Sequence, residues 1–224
     1  MPPLKTKAII LRRTNYSEAD RIVQVLTPNN GKLGVIAKGV RRAKSKRANA
    51  IEFFSETEMV ITRGKSNLGV LTSARLLHFY HHILEDYDRL QFGYEVIKRI
   101  SRLAENVHEA SPYEITHISL RALDDHTIDL RIVKAWFYLQ TAELTGHGLN
   151  LSRDAHNKPL AADSRYHFDI AEMSFVQQPA GNFTAEHLKL LKIMKLKEPR
   201  AIANISGIAT YLDDCLSLAH AVAE

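Results

Sequence analysis

Arg21–Lys38 reads RIVQVLTPNNGKLGVIAK: two β-branched runs on either side of Pro28-Asn29-Asn30-Gly31. Asn30-Gly31 is the strongest short-range hairpin signal, because both residue types tolerate positive φ. The return run puts Leu33, Val35 and Ala37 on one face and Lys32, Ile36 and Lys38 on the other, the two-residue period of a strand. Working outward, Ala8–Arg13 precedes the pair as a further short strand. Thr57–Arg63, with Met59 and Ile61 on one face, follows it and turns through Gly64-Lys65-Ser66-Asn67 into Leu68–Thr72. Five short strands with short loops predict a small antiparallel barrel, for which the oligonucleotide-binding (OB) barrel is the leading five-stranded solution.

The period changes after residue 80. Ile83, Tyr87, Leu90, Tyr94, Ile97 and Ile100 recur at steps of three and four and predict an amphipathic helix from His82 to Asn106. Further helices are expected from Ser111-Pro112, over Asp129–Thr145, from Thr184, and over Ile208–Val222. Residues 149–183 lack a sustained period, though Tyr166–Ile170 and Met173–Val176 are spaced to pair as short strands. The expected class is α+β: an OB barrel in residues 1–80, then a mostly α-helical domain in 81–224 with a short insertion near 149–183.

Charge separates the same two parts. Residues 1–80 hold 15 Lys and Arg against 5 Asp and Glu, a net of +10, whereas residues 81–224 hold 15 against 20, a net of −5. A polyanion is the expected partner of the first part. The cations concentrate in the one long loop, Gly39–Ile51, which carries Arg41, Arg42, Lys44, Lys46 and Arg47 with no acid before Glu52. Arg13, Arg21, Lys32 and Lys38 flank it. The plain alternative for such a run is a solvated loop. On a barrel of this type, Lys and Arg neutralise phosphates and release counterions, which yields sequence-independent affinity for nucleic acid. Aromatic residues for base stacking are sparse: Tyr16, Phe53 and Phe54 are the only ones in residues 1–75. Binding dominated by the backbone is therefore expected, with a log-log salt slope of about −3 to −4 on single strands if roughly five phosphates are neutralised.

The search for catalytic patterns is negative. The chain has no GxxxxGKS/T, GxSxG, HExxH or GxGxxG. His78, His81 and His82 have ligand-like spacing, but no Cys and no well-placed carboxylate trio accompanies them. Asp124-Asp125 and Asp213-Asp214 read as solvated faces, and Cys215 as core. That single Cys excludes a disulfide framework or a Cys-rich zinc module. The N-terminal MPPLKTKAIILRR has no signal-peptide core, and no stretch has the length of a membrane span; the expectation is a cytoplasmic protein with no membrane contact.

Asn15-Tyr16-Ser17-Glu18-Ala19-Asp20-Arg21-Ile22-Val23, Leu26-Thr27, Gly31-Lys32 and Ile36-Ala37-Lys38-Gly39-Val40-Arg41-Arg42 form an ordered set that resembles the bacterial recombination mediator family RecO. Phe53 to Gly64 and FYLQTAELTGHG (Phe137–Gly148) agree more weakly. The resemblance implies an OB barrel followed by a helical domain and a non-enzymatic role without a cofactor. That role is binding single- and double-stranded DNA, annealing complementary strands and helping to load RecA onto DNA coated by single-strand-binding protein. It further implies RecR and the acidic C-terminal tail of single-strand-binding protein as partners, RecA indirectly, and a nucleoid-associated location. Many members carry a four-cysteine zinc module after the position of Gly148; Leu149–Val176 contains no Cys, so no zinc is expected here. For the acidic tail, Arg131 and Lys134 beside Trp136-Phe137, with Arg121, are the candidate residues. The competing readings are an OB module for structured RNA, a metal-dependent nuclease using His78, His81 and His82, and a scaffold acting through its helices alone.

Overall fold

The computed structural model describes residues 2–42, 45, 47–63, 68–105 and 111–224. Strands β1 (Leu4–Tyr16), β2 (Asp20–Thr27), β3 (Gly31–Ala37), β4 (Ser55–Arg63) and β5 (Gly69–Phe79) close a barrel in the order β1-β2-β3-β5-β4. Every neighbouring pair is antiparallel except β3 with β5. This is the OB arrangement. Ala8, Ile10, Val23, Val25, Val35, Ala37, Met59, Ile61 and Leu71 point inward, and Val40 and Ile51 from the β3–β4 connection complete that core. Ile51 sits in a 3-10 turn, Asn49–Ile51, anchored by Thr57 Oγ1 donating to Ala50 O at 2.7 Å.

The central hairpin closes through a three-residue loop. Thr27 pairs with Gly31, so the loop is Pro28–Asn30, and Gly31 but not Asn30 takes positive φ (+58°). Pro28 accounts for this: its fixed negative φ suits an ordinary turn closed by a left-handed glycine, not a mirror-image turn. Thr27 Oγ1 donates to Gly31 O at 2.9 Å and accepts from Asn30 N at 3.2 Å.

β1 lacks alternation because both of its faces are buried. Ile9 and Leu11 are as inaccessible as Ala8 and Ile10, since α1 (Tyr87–Leu103) and α2 (Ser111–Asp124) pack over the outer surface of β1. The barrel ends at Phe79, near the expected residue 80, yet the first compact unit runs on to Asp124. The helix expected from His82 is divided. His81–Glu85 is a 3-10 turn, and Asp86, extended, caps α1 by accepting from Arg89 N at 2.9 Å. A buried polar group joins barrel to helix: Glu56 accepts from Tyr113 OH at 2.8 Å and faces His117 at 3.9 Å, and His117 Nδ1 meets Tyr80 OH at 3.0 Å. Burial and the Glu56 charge both push the Tyr80 and Tyr113 hydroxyls upward in pKa.

The second compact unit, Asp125–Glu224, holds α3 (Leu130–Leu144), α4 (Ala185–Leu196), α5 (Pro199–Ala203) and α6 (Leu212–Ala223). The last expected helix, Ile208–Val222, is a 3-10 turn over Ile208–Tyr211 followed by α6. Cys215 is buried as expected. The insertion folds as a hairpin of β6 (Tyr166–Asp169) and β7 (Ser174–Gln177), close to the expected pair. Phe175 is its centre: it packs edge-on against Tyr166, Phe168 and Phe183 at centroid distances of 6.3, 4.9 and 5.6 Å. Four buried rings thus supply a small core of the insertion's own.

Candidate nucleic-acid interface

The β1–β2 turn and the loop after β3 are laced together. Asp20 Oδ1 accepts from Gly39 N at 2.8 Å, and Gly39 holds φ at +67°, a left-handed conformation costly to any residue with a Cβ. Arg41 N donates to Ala19 O at 3.0 Å, and its guanidinium Nη1 to Ser17 O at 3.1 Å. The residues of the quoted motif therefore shape a surface as much as they charge it. Arg47 closes the loop, donating Nη1 to Leu71 O and Nη2 to Lys38 O, both at 3.0 Å.

Nine cations were expected at the interface. Lys38, Arg41 and Arg42 are exposed, and among the described residues no carboxylate lies within 4 Å of them. Arg47 serves the loop backbone. Lys44 and Lys46 lie outside the described residues. Arg13 and Arg21 share Glu52, Arg21 at 3.7 Å, and Arg13 also stacks its guanidinium over the Phe53 ring at 4.7 Å. Lys32 donates to Ser101 O at 3.0 Å and Glu105 Oε1 at 3.1 Å. The side chains of Arg13, Arg21 and Lys32 are only 20%, 27% and 16% exposed, so these three are committed to their carboxylates and Lys38, Arg41 and Arg42 are the openly presented charges. Of the three early aromatics, Phe54 is buried, Phe53 is half-buried and Tyr16 is 51% exposed.

The histidines group otherwise than their spacing suggested. His78 Nε2 and His82 Nδ1 both face Asp124, at 3.5 and 3.6 Å, and Asp124 accepts from His82 N at 2.9 Å. Asp124 is thus an internal anchor and not a solvated face. His81, His82 and Glu85 place one ligand atom each within 4.8 Å of one another, a donor set able to hold a transition ion at the surface, and His78 is not part of it. The candidate residues for an acidic tail fall in different units: Arg121 is exposed on α2, while Arg131 and Lys134 belong to α3. Arg131 is shared between Asp129 (2.7 Å) and Asp213 (3.1 Å), which hold it firmly protonated. Asp213, like Asp124, is paired. Trp136, Phe137 and Tyr138 are buried core, so no exposed ring of this run stands beside Arg131 and Lys134.

Sequence spacing placed Tyr94 in the apolar stripe of its helix, yet the ring is 43% exposed. Tyr94, Lys98 and Arg102 recur at four-residue steps on one face of α1, and that face is open beside β1 instead of packed.

A single five-stranded barrel of the OB type, with a solvent-facing cationic rim, defines the class of protein. Residues 1–80 match the family model described as Recombination protein O N terminal. The chain is similar to the DNA repair protein RecO of Rubrobacter xylanophilus, 29% identical over 147 residues, which is 66% of this chain and 59% of that protein. To that of Clostridium novyi it is 30% identical over 152 residues (66% and 58%), and to that of a Roseiflexus species 35% over 121 residues (54% and 42%). The match thus spans between about two fifths and three fifths of the length of these curated relatives. Among the described residues, no helix is long and apolar enough to cross a membrane.

Proposed function

We propose that this chain is a DNA repair and recombination mediator that binds single- and double-stranded DNA through its barrel and anneals complementary strands. It acts with RecR to help load RecA on strands coated by single-strand-binding protein, and it works at the nucleoid without a cofactor or catalytic step. The observation that carries this reading is the trio Lys38, Arg41 and Arg42: three exposed cations without a described carboxylate partner, on the rim of an OB barrel. Annealing needs two like-charged strands to approach, and cations that displace counterions lower that repulsion without selecting sequence. Similarity to proteins named for DNA repair supports the same reading. The acidic tail of single-strand-binding protein is assigned to Arg131 and Lys134 of the second unit. There it must displace Asp213 from Arg131, which predicts weak, salt-sensitive binding.

The test is a salt titration of a labelled single strand, coupled to an annealing assay. Changing Lys38, Arg41 and Arg42 together to Ala is expected to reduce the log-log slope by about 2, from the loss of three phosphate contacts, and to slow annealing in proportion. An unchanged slope removes the trio from the interface. Preference for duplex RNA with no DNA annealing would favour the RNA-binding reading instead.

A further inference from the structure

A groove of about 380 Å³ lies between β1, the Phe53 segment and α1, inside the first compact unit. Its floor is apolar: Leu11 and Ile97 are each only 4% exposed. Phe53 and Tyr94 form a two-ring wall, centroids 5.7 Å apart and near perpendicular at 77°. Arg13 covers one face of Phe53, so the open ring is that of Tyr94, 43% exposed. Three exposed cations stand around the rim, Arg12 from β1 and Lys98 and Arg102 from α1, and no acidic side chain is among the residues that line the groove.

An apolar slot with one exposed aromatic ring, ringed by positive charge from two sides, matches a group that is flat and apolar with anions on both sides. That is the chemistry of an unpaired nucleotide within a strand: a base with a phosphate before and after it. Pockets of about 300–1,000 Å³ enclose small organic groups. Bases stack on any aromatic ring, while Lys and Arg follow the backbone. The groove and the cationic rim are linked along strand β1. From Arg12 to Tyr16, β1 rises about 13 Å, and the next residue, Ser17, is the one that holds the Arg41 guanidinium.

We propose that this groove seats a single unpaired base of a bound DNA strand against Tyr94, with the flanking phosphates on Arg12, Lys98 and Arg102. The proposal rests on the DNA-binding reading above and extends it: the rim grips any backbone, and the groove distinguishes an unpaired strand from a duplex, whose bases are stacked inside.

The test compares two strands of equal length and phosphate number, oligothymidine and the same backbone with abasic sugars throughout, on the whole chain at fixed salt. The wild-type chain is expected to bind oligothymidine roughly tenfold more tightly, the worth of one stacked base. In Tyr94→Ala that preference is expected to fall to near unity while abasic affinity stays unchanged. Because Tyr94 also touches Phe53 and Phe54, Lys98→Gln with Arg102→Gln provides a second, solvent-facing variant. It is expected to weaken both strands and reduce the salt slope by about 1.4. Equal wild-type affinity for the two strands overturns the base seat while leaving the rim as the DNA site; binding of neither strand overturns both readings. An acidic peptide with an apolar end that binds the groove and loses affinity in these variants, with the base preference unaltered, assigns the groove to a protein partner and overturns the proposal as well.

Discussion

At Asp20 a carboxylate does local work that its surroundings conceal. It sits in a strongly basic segment, yet it accepts the amide of Gly39 and not a cation. That bond orients the backbone that presents Arg41 and Arg42. Asp20→Ala is expected to cost about 2 kcal/mol, the worth of a charge-assisted hydrogen bond, and to weaken DNA binding although it removes a negative charge. Urea denaturation and a binding titration check the two halves; tighter binding would show that charge outweighs geometry. Gly39→Ala should cost about 1–2 kcal/mol for its left-handed backbone. Cys215 offers a cleaner residue-scale test. Burial pushes its thiol up to about 12, and Sγ lies 3.8 Å from His187 O. Native protein at pH 8 is expected to resist iodoacetamide, and protein in denaturant to react fully. Because the folded thiol ionises above the unfolded value near 9, its contribution to stability is complete below pH 9 and is lost as pH rises from 9 towards 12.

Among the elements, β1 decides how far the first unit extends. Its Ala8-Ile9-Ile10-Leu11 run serves two cores at once, the barrel interior and the layer under α1 and α2. The Glu56, Tyr113, His117 and Tyr80 group ties these layers with polar contacts that cannot be left half made. Tyr113→Phe strips the best hydrogen bond from a buried carboxylate and is expected to cost about 2 kcal/mol, seen as a lower urea midpoint with unchanged m-value. The hairpin β6–β7 relies on Phe175 and its three ring partners. Phe175→Ala should speed amide exchange across Tyr166–Gln177, whereas a chelator is expected to leave the melting temperature where it was, since Leu149–Val176 has no thiol to hold zinc. A fall in melting temperature with chelator that persists after His81 and His82 are changed to Ala would reveal a metal site in the insertion.

Over the whole molecule, charge follows the compact units less sharply than it follows residue 80. Unit Met1–Asp124 carries 20 Lys and Arg against 13 Asp and Glu, a net of +7, and unit Asp125–Glu224 carries 10 against 12, a net of −2. The positive excess remains with the barrel, so association with DNA should be fast at low salt and fall steeply as salt rises. If Lys38, Arg41 and Arg42 contact three phosphates, they contribute about −2.7 to the slope on duplex and about −2.1 on single strands. A duplex slope no steeper than the single-strand one would indicate that different residues grip the two forms.

The barrel strands, the hairpin at Gly31, the α2 and α3 helices and the basic loop were legible in the amino-acid order, because period, turn chemistry and charge are local quantities. So was the resemblance to RecO, through the run from Asn15 to Arg42. Which cations face water was not: Arg13 and Arg21 meet Glu52, and Lys32 meets Glu105 some 73 residues away, pairings that only chain folding creates. The groove beside Tyr94 escaped for the same reason. A helical face reads as core or as surface from its own sequence, but whether a ring at its edge lies packed or open depends on how closely β1 and α1 approach, which is settled by long-range packing.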